Sequence, residues 1–183
     1  LVARLLQASE VPVFYGVPGH PMVAEATTRL LLQQLGPDGV RIVAGLSFLE
    51  PTCTALGVDP LEHGLQLHDA LELTAPESPF VPPLSLDPTC PLLVAHFHGG
   101  ATAVAVQQAL QEHYPATHPV TVVRPGDPAG EGQARTGPLH ELASWAGDEA
   151  GTLYIPPLPR VQAQREAATL EWVCARLRAP GGC

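Results

Sequence analysis

Apolar positions along this chain switch between two periods, and the switches mark its elements. Residues 11–16 (VPVFYG) form a β-branched and aromatic run of the length expected for a buried strand. A Pro/Gly loop follows over residues 17–21, after which Val23, Ala26 and Leu30 recur at helical spacing. Pro21 suits the first turn of that helix, where its missing N–H would have no partner in any case. A strand passing into a helix through glycine offers backbone N–H groups and a positive dipole end to a ligand, so this loop is the candidate ligand-facing point of the chain. The plainer reading is a βα turn with no ligand.

The same alternation continues. Residues 40–44 (VRIVA) predict a second strand, reached through a Gly36-Pro37-Asp38-Gly39 turn. A helix is expected from about Phe48, with Ser47 as its N-cap, Glu50 as the capping-box partner and Gly57 as its end. Residues 65–69 (LQLHD) alternate as a half-buried strand does. Six prolines between Thr74 and Pro91 remove backbone donors and predict an extended linker dividing two lobes. Beyond it come a strand at 92–97, a helix at 101–114, a strand at 120–123, a glycine-rich mobile loop at 126–137, a short helix at 139–145 and a strand at 153–155. Strands and helices in alternation imply a mostly parallel, layered α/β sheet. Residues 162–178 carry Leu170, Val173, Cys174 and Leu177 on one face of an amphipathic helix.

Composition narrows the function classes. The chain has 183 residues, enough for one ordinary domain or two small lobes, and a net charge of −9. That charge and its nine scattered basic residues argue against a nucleic-acid polymer as partner, since phosphate neutralisation needs clustered Lys and Arg. Four well-separated cysteines, Cys53, Cys90, Cys174 and Cys183, form no CxxC pair and read as reduced cytoplasmic thiols. No apolar run reaches the ~20 residues that span a bilayer, so no membrane is expected as partner. The opening inside an apparent helix and the closing Gly181-Gly182-Cys183 turn suggest an internal piece of a longer protein.

Candidate chemistry is sparse. In Gly19-His20-Pro21 a neutral imidazole at a helix N-terminus can donate or accept at a ligand edge. His96-Phe97-His98 ends a strand, and strand alternation places both imidazoles on one side at the spacing of two metal ligands. A third ligand is missing, with only His68 and Asp69 to suggest, so a strand-end loop without metal is the preferred reading. The glycines of 126–132 lack both the Gly-Lys-Ser/Thr ending of a phosphate loop and the GxGxxG pattern. No GxSxG elbow surrounds Ser9, Ser47 or Ser144.

With those residues in view, the chain resembles the tetrapyrrole (corrin/porphyrin) methylase family over about residues 11–157. The carriers are YGVPGHPMVAE, the segment Val43-Ala44-Gly45-Leu46-Ser47-Phe48, the turn and helix from Gly137 to Leu142, and LYIPPL. The resemblance implies an S-adenosylmethionine-dependent methyltransferase-like domain of α/β class with two lobes and a cofactor cleft. Cofactor contacts would fall at Gly19, His20 and Val23, at Ser47 and Phe48, and at Phe97 and His98. The last thirteen residues, EWVCARLRAPGGC, are similar to the opening of a MazG-type nucleoside triphosphate pyrophosphohydrolase domain. The carboxylates that hold Mg²⁺ in MazG domains are not among them, so Mg²⁺ would belong only to a missing part.

The domain organisation so implied is a partial N-terminal lobe at 1–73, a Pro-rich linker at 74–91, a C-terminal lobe at 92–158 and the start of a MazG-like helical domain at 159–183. The substrate is a small molecule of unknown identity, and a homo-oligomer would assemble through the helical part. The competing class is a non-catalytic binding or assembly module, and S-adenosylmethionine titration separates the two.

Overall fold

In a computed structural model of the chain, the described residues are 12–74, 85–124, 132–145 and 151–158, together with Val2 and Leu5. The chain divides into two compact units, Leu1–Pro51 and Thr52–Cys183. The helix expected at 162–178 and the cysteines Cys174 and Cys183 lie outside the described residues.

In the first unit the local chemistry sets the helices. Helix α1 (Ala26–Leu35) begins after Glu25, whose carboxylate accepts a hydrogen bond from the Thr27 N–H at 2.8 Å. It ends at Gly36, in the left-handed region at φ 72°. The sequence predicts a start at Pro21, but residues 21–24 turn instead. The Val23 N–H donates to the His20 carbonyl at 3.0 Å, and Ala24 takes φ 56°, which a right-handed helix excludes. The buried stripe moves with the start, so Thr28 and Leu31 face inward while Ala26 and Leu30 are exposed. Helix α2 (Leu49–Leu56) begins in the first unit and runs on into the second, ending at Gly57 with φ 64° as expected.

Neither predicted strand of this unit forms. Residues 12–16 and 40–44 carry no strand pairing, and no backbone ladder bond joins them among the described residues. Both flank an open apolar cavity of about 540 Å³ lined by Val13, Tyr15, Leu31, Val40 and Ile42 among others. A β-branched run has the propensity for a strand, but a strand exists only when another backbone pairs with it.

The second unit is built on one five-stranded sheet of order β1-β2-β5-β3-β4. Its strands are β1 (Gln66–Asp69), β2 (Leu92–Phe97), β3 (Pro119–Arg124), β4 (Gln133–Pro138) and β5 (Gly151–Ile155). Only β1 and β2 run parallel; the pairs β2–β5, β5–β3 and β3–β4 are antiparallel. This corrects the expectation of a mostly parallel sheet. The last strand in sequence is central because β5 inserts between β2 and β3, a choice that long-range pairing makes and local periodicity does not. β4 corrects a second expectation. Residues 133–138, read as part of a mobile glycine-rich loop, pair along all of β3, with Thr121 and Thr136 bonded across the strands at 2.9 Å.

The sheet also runs across the proline-rich stretch. β1, before it, pairs residue for residue with β2, after it, from Gln66↔Leu92 to Asp69↔Ala95. The Gln66 side chain holds the far end of the stretch: its amide donates to the Asp87 and Cys90 carbonyls at 2.7 and 3.0 Å and accepts from the Asp87 N–H at 2.9 Å. The strands on either side of the proline-rich stretch therefore belong to one sheet.

Around the sheet pack α3 (Ala70–Leu73), α4 (Ala101–Gln111) and α5 (Leu142–Trp145). α4 buries Ala103, Val106 and Leu110 in the core with Leu92, Val94, Leu153 and Ile155. Burying each such side chain contributes roughly 1.5–3 kcal/mol relative to exposure. His118, also buried, can bond the Pro156 carbonyl at 2.8 Å only as a donor, which places its proton on Nε2. Among the described residues no helix is long and apolar enough to cross a membrane.

Candidate functional site

Two loops of the first unit, each singled out in the sequence, meet through their backbones. Gly19 lies in the left-handed region at φ 86°, and Gly45 approaches it so closely that an added Cβ would stand 3.1 Å from the Gly19 carbonyl oxygen. A Cβ on Gly19 would in turn lie 3.5 Å from the Leu46 carbonyl oxygen. Two glycines thus let the loop around His20 and the loop around Ser47 touch without side chains between them.

Each loop is held internally. The His20 Nδ1 accepts a hydrogen bond from the Met22 N–H at 3.1 Å, which leaves a neutral imidazole with its proton on Nε2. Val23 closes the turn through its N–H and is half-buried. Ala24, the next residue, carries the left-handed strain that single non-glycine residues show most often at ligand-binding loops.

Ser47 is buried and forms the predicted capping box. Its Oγ accepts from the Leu49 N–H at 3.0 Å; its own N–H and hydroxyl donate to the Glu50 carboxylate at 2.8 and 2.7 Å. The bonds from Ser47, first its hydroxyl, hold the Glu50 carboxyl below its ordinary pKa. Phe48, half-buried, follows at the mouth of α2.

In the second unit the residues at the end of β2 separate. Phe97 belongs to the hydrophobic core at 2% exposure, so its ring is not open to a ligand. His98 is exposed just beyond the strand. Strand alternation, the ground for placing His96 and His98 on one side, is interrupted. Three steps along β2 from Val94 to Phe97 oppose two along β5 from Leu153 to Gly151, a β-bulge, and His96 within it has φ 52°.

The fold then makes a pairing that sequence spacing does not single out. The His96 Nδ1 lies 2.6 Å from the Asp69 Oδ2. The two are 27 positions apart and meet because Asp69 is in register with Ala95, beside His96. The only signal in the sequence is the presence of both types at the ends of two apolar runs. Among the described residues no group of three or more His, Cys, Asp or Glu is placed to hold a metal ion.

No family model matches the chain. Over 175 residues, 93% of its length, it is 34% identical to the uncharacterized protein YabN of Bacillus subtilis, and it spans about a third (34%) of that relative. Among solved structures it resembles diphthine synthase, with a TM-score of 0.56 and 18% identity over 81% of this chain and 61% of that one. It also resembles a uroporphyrin-III C-methyl transferase of Thermus thermophilus complexed with S-adenyl homocysteine, with a TM-score of 0.50 and 22% identity over 74% and 62% of the two chains. The class these likenesses define is one of fold: the chain has the α/β fold of tetrapyrrole-methylase-like proteins. It spans less than two thirds of each of the solved chains.

Proposed function

We propose that this chain is a methyltransferase-like domain that binds S-adenosylmethionine at the paired loops, through Gly19, His20 and Val23 on one and Ser47 and Phe48 on the other. The observation that carries the reading is the close backbone approach at Gly19 and Gly45, at the two segments that resemble the methylase family. A ligand can lie directly on main chain where no Cβ intervenes.

The residues present fit a sulfonium cofactor. Glu50 keeps its negative charge to lower pH than an ordinary carboxylate and lies beside Ser47, so a cationic ligand meets a fixed anion there. His20 offers an Nε2–H donor and no charge of its own. The two further residues that the resemblance names belong to the second unit, where the Phe97 ring is buried in the core and the His98 imidazole is exposed. When bound, the cofactor supplies an electrophilic methyl group on sulfur. The chain's share is to bind, orient and hold the acceptor in line, the positioning from which rate enhancement of such displacements largely comes.

The longer polypeptide that we propose as parent carries a MazG-type pyrophosphohydrolase part beginning near residue 159, Mg²⁺-dependent and outside this chain, and forms a cytoplasmic homo-oligomer through it. The similarity of EWVCARLRAPGGC to such domains supports this. One observation favours the alternative of a non-catalytic assembly module: both donors of Ser47 are engaged by Glu50, which leaves its hydroxyl hydrogen none to offer a ligand.

Calorimetric titration of the full chain with S-adenosylmethionine tests the reading. Saturable heat is expected, weakened at least tenfold in affinity by Gly45→Val and by His20→Ala. No heat at millimolar ligand, with circular dichroism showing a folded chain, supports the assembly module.

A further inference from the structure

We propose that the second unit holds a phosphate-binding pocket between the β3–β4 pair and α5, built on Arg124, Arg135 and the Trp145 indole N–H. Strand register brings the two arginines together. Arg124 on β3 is opposite Gln133 on β4, and Val122 is opposite Arg135, so all four share one face of the sheet. Arg124 and Arg135 are diagonal neighbours on it, roughly 7–8 Å apart along the backbone, a gap that side chains as long as arginine close. Trp145 covers the same face. A Cβ on Gly137, two residues along β4 from Arg135, would meet its ring at 2.6 Å, and the Arg135 guanidinium carbon lies 4.9 Å from the ring centroid. These side chains line a cavity of about 250 Å³.

The pocket is rich in donors. Trp145 is 6% exposed and its Nε1 is buried with no hydrogen-bond partner; Arg124 Nε, also buried, has none either. Both atoms can only donate. A buried donor without an acceptor is destabilising, and native folds keep few of them. No Asp or Glu lines the cavity, and among the described residues neither arginine makes an ion pair. Two like charges close together on one face repel. One anion with several oxygens would neutralise the charges and accept from both orphaned donors.

Phosphate fits that description better than a carboxylate does. A phosphate monoester carries about −1.5 to −2 charge at pH 7, which matches two guanidiniums, and its three terminal oxygens can accept from both arginines and the indole at once. A carboxylate brings one charge and two oxygens. One water's share of liquid is roughly 30 Å³, so the cavity has room for the group and a small substituent, with Val122 as an apolar floor. A chain of net charge −9 has no general attraction for anions, so phosphate must be held by the site itself. β4 is the edge strand and Arg135 is exposed on it, which leaves the pocket open to solvent. All of these residues belong to the second unit, and the pocket does not depend on the cofactor reading.

The test is calorimetric titration of the full chain, in chloride buffer, with inorganic phosphate and separately with glycerol phosphate. Saturable heat at millimolar concentration or below is expected; tighter binding of the ester marks the ligand as a phosphorylated small molecule, tighter binding of the ion marks free phosphate. Arg124→Gln and Arg135→Gln should each weaken binding by about tenfold or more. Arg135→Lys keeps the charge without the fork and should recover part of that loss. Trp145→Phe, a ring without the N–H, should weaken it by about threefold to tenfold. Circular dichroism of each variant checks that the fold is kept, and the exposed Arg135 is the substitution least able to disturb it. Arginines with a structural role alone would change the melting temperature and give no phosphate heat. No saturable heat with either probe from a folded chain, or heat unchanged in both arginine-to-glutamine variants, overturns the proposal.

Discussion

The two units of the chain start from similar sequence material and end differently. Residues 12–16 and 40–44 in the first are as β-prone as β2 or β3 in the second, yet only the second builds a ladder. Burial follows pairing. Among the described residues, Leu31 is the one buried hydrophobic of the first unit, against a core of Leu92, Val94, Leu110, Leu153, Ile155 and their neighbours in the second. Phe14 is 96% exposed and Val43 73%. A strand's apolar face becomes a core only when pairing fixes which way it points; propensity without a partner leaves the same residues in water.

If stability resides in the paired unit, the largest effect should come from its central strand. Leu153→Ala removes a fully buried side chain from β5 and is expected to cost about 2–5 kcal/mol in urea unfolding followed by circular dichroism. A cost below about 1 kcal/mol would break the comparison. Next, Gly137→Ala should cost about 1–3 kcal/mol. An added Cβ on this β4 residue would meet the Trp145 ring at 2.6 Å, and that ring is buried beneath the Arg135 guanidinium. Thermal melting in which this variant matches wild type would show that Trp145 has room to move.

In the first unit, Ser47→Ala removes a cap and is expected to cost about 0.5–2 kcal/mol, read as earlier amide exchange across α2. The same box predicts a pH response. Glu50 has a folded-state pKa lowered from 4.5, chiefly by the Ser47 hydroxyl, so its contribution is present above the unfolded value and is lost as pH falls through the lower folded one. Glu50→Gln should flatten α2 exchange rates across that acid window; an unchanged slope would remove the ionised capping box. Tyr114 works at the other end of the scale. Burial raises its pKa to about 12, so the folded state is favoured fully below pH 10 and progressively less from 10 to 12. Tyr114→Phe should remove that alkaline decline. The smallest effect is expected at Val43→Thr, within about ±0.5 kcal/mol. A large loss there would mean that the extended segments of the first unit are paired in solution after all.

The local devices are legible in the sequence. Ser47 and Glu50 are three residues apart and can meet only across one helical turn, so their spacing alone is enough to announce the capping box. The stop at Gly57 is of the same kind, and the strand propensity of 66–69 and 92–97 is local too, although these runs become strands only by pairing with each other. Glycine at positions 19 and 45 marks two candidate loops, but not that one glycine would stand against the other. Reading a helix from Pro21 fails for a local reason that periodicity does not weigh: His20 and Glu25 each offer the backbone a competing hydrogen bond.

What the sequence by itself determined, then, is whatever closes within about one turn: caps, stops, strand propensity and the character of the loops. Tertiary structure alone decided whether a strand-prone run pairs, that β5 is central and β4 an edge strand, and that β1 and β2 share a sheet across six prolines. It alone brought Asp69 to His96. Contacts inside a turn are enforced by short covalent geometry, whereas pairing between distant segments is a competition among partners, settled by the burial that the whole fold makes available.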